Sequence, residues 1–200
     1  MFFSFLLRHA LSLMLLSCAL AGHGATLSEP DKASPALVKA AFLHKFASFV
    51  EWPAGSFARA DSPLKIGILG DTQVWQELAD LSRDRDRDGR PVEVKRLVAG
   101  DSLAGFHILY LRAPNLTRMA DLLANVPEGV LTVADGVHPR GSVMSFPQED
   151  GRVRFGVSLD AASRQKLRLS SRLLAVARNV QGMAGAYTLM ARLARALSLA

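Results

Sequence analysis

The sequence holds one cysteine, Cys18, and it lies inside the apolar N-terminal segment. Past it the chain has no thiol. That excludes a disulfide framework, a cysteine-based zinc site, a cysteine nucleophile and a thiol redox switch from the remainder. Long apolar runs are missing too. After "ALSLMLLSCALA" at 10–21 no stretch approaches the ~20 apolar residues that a spanning helix needs. Acid is scarce at one end. Residues 152–200 contain nine Arg and Lys against one acid, Asp160, a balance of +8, so a chain of net +6 leaves −2 for the rest.

Catalytic signatures are also absent. There is no G-x-S-x-G elbow and no P-loop lysine. His23, His44, His107 and His138 share no metal-ligand spacing, and each reads as a structural histidine, while His9 leaves with the leader. No pair of carboxylates stands out as acid and base. The expectation is a protein that is not an enzyme, with no catalytic residue, no cofactor and no metal site.

What is present begins with a leader. "MFFSFLLRHALSLMLLSCALA" has an apolar core too short to span, and Ala19 and Ala21 fit a cleavage site after Ala21. The alternatives are an uncleaved anchor and a lipoprotein at Cys18, for which Leu16 is a poor fit. Export to an oxidising compartment follows from the cleaved leader. The basic C-terminal part would attract anions: phospholipid heads, acidic protein faces or nucleotides. An exported chain does not meet DNA, so nucleic acid ranks last. The bland alternative is a solvated basic face.

Residues 22–35 read as a linker. "ALVKAAFLHKFASFVEW" then spaces its apolar residues by three and four, which predicts a helix with a broad buried face, halted at Trp52 by Pro53. "LKIGIL", "VEVKRL", "FHILYL" and "LTVAD" read as strands. "TQVWQELADL" and "APNLTRMADLLANV" read as helices, the second packing Leu116, Met119, Ala120, Leu122 and Leu123 inward. "SRDRDRDGR" is a solvated loop. "SVMSFPQEDGRVRFGVSLD" is a hairpin about Asp150-Gly151. "AASRQKLRLSSRLLAVARNV" gives two further helices, and 181–200 a C-terminal helical extension that packs on the domain or forms a dimer seam. Alternating strands and helices predict a single compact three-layer α/β domain. Its sheet is Rossmann-like and mostly parallel, with an antiparallel hairpin at one edge and flanking helices.

Two places invite function. "GILGD" at 67–71 ends a strand and starts a helix, where α/β folds bind ligands and anions. Gly70 and Asp71 are candidate ligand contacts there, set against a plain turn and helix cap. Trp52, pinned by Pro53, is either packed under the sheet or an exposed anchor for a partner.

Together these motifs resemble the YfiR family of exported regulators, over about Ala36–Val180. The resemblance rests on "VKAAFLHKFASFVEWP", "LKIGILGD", "FHILYL", "LTVAD", the hairpin segment and "LRLSSRLLAVARNV"; the first and last are the specific ones. It implies a periplasmic, non-catalytic α/β protein that dimerises. It also implies repression of an inner-membrane diguanylate cyclase through that enzyme's periplasmic sensor domain, and so control of cyclic di-GMP and biofilm. Glu51, Trp52, Arg168 and Arg172 are the candidate partner contacts. A periplasmic protein that binds a small anionic ligand is the alternative. The chain departs from the family in lacking paired cysteines, which removes disulfide gating. It also carries His44 and Lys45 where tyrosine and asparagine are expected, and it extends through residues 181–200.

Overall fold

Four consecutive buried residues, Ile108–Leu111, explain the layering. Successive strand side chains point to opposite faces. Ile108 and Tyr110 join one apolar cluster, with Ala40, Leu43, Phe46, Val74 and Leu78 from two helices. Leu109 and Leu111 join a second, with Met119 from another helix. A sheet buried on both faces needs such continuous apolar strands. The computed structural model describes residues 33–83, 90–136, 139–149 and 151–182. The leader, most of the linker, the charged 84–89 segment, His138, Asp150 and residues 183–200 of the C-terminal extension lie outside the described residues; at the two boundaries that are described, Pro35 already belongs to the first helix and Gln181 to the last strand.

The elements are α1 (Pro35–Phe46), β1 (Val50–Glu51), β2 (Leu64–Leu69), α2 (Thr72–Arg83), β3 (Val92–Leu97), β4 (Ile108–Leu111), α3 (Leu116–Ala124) and β5 (Leu131–Asp135). Then follow β6 (Met144–Phe146), β7 (Gln148–Glu149), β8 (Arg152–Val153), β9 (Gly156–Ser158), α4 (Leu159–Arg164), β10 (Arg168–Leu169), α5 (Ser171–Val176) and β11 (Asn179–Gln181). Seven strands form the main sheet in the order β11-β9-β6-β5-β4-β2-β3. Every pairing is parallel except β6 with β9. The fold is therefore the three-layer, mostly parallel α/β domain that the sequence predicts. The β7–β8 hairpin stands as its own two-stranded sheet. The antiparallel pair is not at the edge, because β11 adds a further parallel strand outside β9.

Local chemistry sets the first helix. Ser34 caps α1 by accepting from Leu37 N–H at 3.0 Å, and Pro35 sits at its start, where a missing N–H costs nothing. Phe42 and Phe46 then meet Phe146 and Phe155 with ring centroids 5.1–6.0 Å apart. Phe46 is almost wholly buried, so truncation to Ala would cost about 3–5 kcal/mol. The helix does not run to Trp52. It ends at Phe46, passes through a 3₁₀ turn at Ala47–Phe49, and becomes strand at Val50. Pairing of Val50 with Leu169 overrides the helical spacing. In α3, only Met119 is buried; Leu116 is 65% exposed and Ala120 faces solvent, because Asn115 caps the helix so late that Leu116 falls on its outer first turn.

Candidate functional site

The sequence offers two surfaces, and the fold puts them in different places. On the first, β1 and β10 pair antiparallel, setting Glu51 opposite Arg168. Glu51 Oε2 lies 3.5 Å from Arg168 Nε, with both side chains largely exposed. Such a pair contributes about 0–1 kcal/mol. Ser170 N–H extends the ladder to the Phe49 carbonyl at 2.9 Å, then Ser170 caps α5. Arg172 stands exposed in the first turn of that helix. The fold thus brings Glu51 and Arg168 together, with Arg172 one short turn further along the chain.

Trp52 is turned to other work. It is half-buried, with its edge toward Phe57 (5.9 Å) and His107 (6.3 Å) and its indole N–H toward the His107 carbonyl at 3.4 Å. These groups fasten the strap between Pro53 and Pro63 across the amino ends of the strands. His107 is the rivet. Its Nδ1 accepts from Lys65 N–H at 3.0 Å, so the neutral ring carries its proton on Nε2, which donates to the Ser56 carbonyl at 2.9 Å. Phe57 stacks on the imidazole at 4.1 Å, and the Arg90 guanidinium lies 3.8 Å from the Phe57 centroid. Burial holds the His107 pKa below its usual value; the Ser56 bond opposes that shift, and Arg90 and Lys65 add to it.

The second surface is the carboxyl edge of the parallel strands. Counting only the parallel strands from β2 onward, β3 leaves on one side of β2, and β4 and β5 on the other. Where connections diverge in this way, a crevice opens between the strand ends. Here it lies between the ends of β2 and β4. Gly70 adopts φ +84°, and any Cβ there would collide with the Arg112 carbonyl. Asp71 accepts from Val74 N–H at 3.1 Å, which caps α2. Its other oxygen takes Arg112 Nη1 at 3.0 Å and the Tyr110 hydroxyl at 3.4 Å.

Behind it, Asp135 is 2% exposed and pairs with Lys39 Nζ at 2.6 Å, while Arg112 Nε lies 3.6 Å away. Two acids, two cations and a phenol thus neutralise one another. Burial raises the Tyr110 pKa far above its usual value, and Asp135 and Asp71 raise it further. The Asp71 hydrogen bond raises the Arg112 pKa.

Gly70 and Asp71 therefore have structural employment as turn and cap. Both also line a cavity of about 370 Å³, together with Arg96, Arg112 and Arg118 over apolar residues. The sequence reading missed these arginines, and it also missed Lys39, Tyr110 and Asp135. A lysine on the apolar side of α1 was the available signal for the buried pair. Among the described residues no three His, Cys, Asp or Glu converge as metal ligands, and no helix is long and apolar enough to cross a membrane.

A family model described as YfiR/HmsC-like matches residues 36–178. The chain belongs to the YfiR/HmsC-like family. The match runs from the first turn of α1 to the residue before β11, and it includes both surfaces. Curated proteins give no match. Membership of the YfiR/HmsC-like family suggests a periplasmic regulator of a diguanylate cyclase, in a family that is regulatory rather than catalytic.

Proposed function

We propose that this chain binds the periplasmic sensor domain of an inner-membrane diguanylate cyclase and represses it, so lowering cyclic di-GMP and biofilm formation. The observation that carries this reading is the family match over residues 36–178, nearly the whole described fold. In this reading residues 1–21 direct export and are cleaved near Ala21, the residues between there and α1 form a linker, and the residues after β11 add a helical extension that supports a homodimer. The protein then acts by binding, with no chemistry of its own.

The contact surface proposed is the β1–β10 face with Glu51, Arg168 and Arg172. These side chains are exposed, and their charges are not committed to the core. Arginine is favoured at interface hot spots, because a planar guanidinium pairs with carboxylates while its stem covers apolar surface. Trp52 directly follows β1 in the chain and packs on Phe57 and His107.

The test is calorimetry between the chain, expressed from its full sequence and purified from a periplasmic extract, and the periplasmic domain of a cyclase encoded beside it. Binding at micromolar dissociation constant or tighter is expected. Absence of binding between two folded partners, together with unchanged cyclic di-GMP after gene deletion, would overturn the reading.

A further inference from the structure

We propose that the crevice between the ends of β2 and β4 is a binding site for a small organic anion, a polycarboxylate or phosphate ester with an apolar part, held by Arg96, Arg112 and Arg118. The three arginines come from three elements: Arg96 from β3, Arg112 from the residue after β4, and Arg118 from α3. Only one acid, Asp71, lines the cavity with them, and its carboxylate is already engaged by Arg112 and by the α2 cap. The lining therefore carries an excess of positive charge. Arg96 and Arg118 are exposed, and neither forms an ion pair with a described residue.

Arg118 is also placed against the helix field. It is the third residue of α3, whose cap Asn115 is neutral and whose first turn has no acid. A cation at the positive end of a helix is unfavourable, and an anion between it and the crevice reverses the sign of that interaction. Three guanidinium groups around one cavity repel one another in the same way. Both costs are relieved by a bound anion.

The floor is suited to carbon. Leu69, Leu97, Val98 and Leu122 line the same cavity, and Val98 is 58% exposed at its rim. A volume of about 370 Å³ falls in the size class of small-molecule sites, roughly 300–1,000 Å³. Place, charge and floor point to one ligand chemistry, and all three stand apart from the regulatory reading.

Thermal shift and calorimetry on the chain alone, expressed from its full sequence, test the site without any cyclase. The probes are citrate, inorganic phosphate and phenyl phosphate, with sodium chloride at matched ionic strength as the control. Citrate and phenyl phosphate are expected to raise the melting temperature in a concentration-dependent way. Phenyl phosphate should bind more tightly than inorganic phosphate because of the apolar floor. Arg96→Gln with Arg118→Gln should weaken binding at least tenfold while the melting temperature without probe stays the same or rises. Arg96→Gln alone, on an exposed edge-strand position, should weaken binding several-fold and serves if the double variant does not fold. No shift with any probe beyond the salt control would overturn the proposal. So would equal shifts in the wild type and a folded variant. A cyclase that fails to bind would leave this site standing.

Discussion

Lys39 Nζ sits 2.6 Å from Asp135 Oδ1 and ties α1 to the carboxyl end of β5. Both side chains are nearly out of water, at 11% and 2% exposure. Taking one charge away from such a pair is costly, because its partner stays buried. Lys39→Met should therefore lower the unfolding free energy by about 3–5 kcal/mol. Arg112, 3.6 Å from the same carboxylate, keeps the loss toward the lower end. Lys39→Met with Asp135→Asn should recover part of it. Urea denaturation of the three proteins checks the pattern. A double variant no more stable than Lys39→Met would mean that the loss comes from packing.

Gly70 supplies a turn that no other residue can make here. Its φ of +84° and the Arg112 carbonyl both exclude a side chain. Gly70→Ala should cost at least ~1–3 kcal/mol of stability, the usual range for forced left-handed backbone. The strand end must also move away from β4, so the anion shift should fall in the same variant. Denaturation midpoints with and without citrate measure both effects.

These two sites show how unevenly the molecule could be read from its residues. The parallel strands were legible because "LKIGIL" and "LTVAD" are apolar runs bounded by turn residues. Asp71 was legible as a cap, since it directly precedes a helical pattern. The two-residue strands β1 and β10 are too short to show a period, and only their mutual pairing defines them. β11 was hidden for another reason. "LLAVARNV" has no breaker, yet Ala177 turns extended and Asn179–Gln181 aligns with Gly156–Ser158. The place of the cleft was legible at Gly70-Asp71, but its arginines were not, because positions 96, 112 and 118 meet only once sheet order places β2 between β3 and β4.

His107 should make stability depend on pH. Its pKa is lowered in the folded protein from the ordinary 6.5, first by burial. Between the lowered value and 6.5 the unfolded chain binds more protons than the folded one, so stability rises with pH there. The contribution is complete above about pH 6.5 and is lost as pH falls through the folded pKa. The physical event is protonation of Nδ1, which can then no longer accept from Lys65 N–H. Urea midpoints between pH 8 and pH 5 should decline on the acid side. His107→Gln should flatten that decline. It should also cost about 1–3 kcal/mol at pH 8 if either backbone partner is left unpaired. An unchanged slope in the variant would place the titration elsewhere.

Trp52 and Arg168 stand on neighbouring ground and should separate cleanly by experiment. Trp52 packs its edge on Phe57 and His107, whereas Arg168 pairs, among the described residues, with the exposed Glu51. Trp52→Ala should therefore act through the strap, costing about 2–3 kcal/mol, somewhat below the loss for a fully buried tryptophan. Trp52→Phe should keep most of that. Arg168→Glu with Arg172→Glu removes no buried contact and should change stability by ~1 kcal/mol or less. If the β1–β10 face meets the cyclase, the same pair of charge reversals should weaken binding tenfold or more, through faster dissociation and through like-charge repulsion of an acidic partner. Stability and affinity measured on both variants give four numbers. Affinity that falls with Trp52→Ala and stays constant with the arginine reversals would move the contact from the β1–β10 face to the strap.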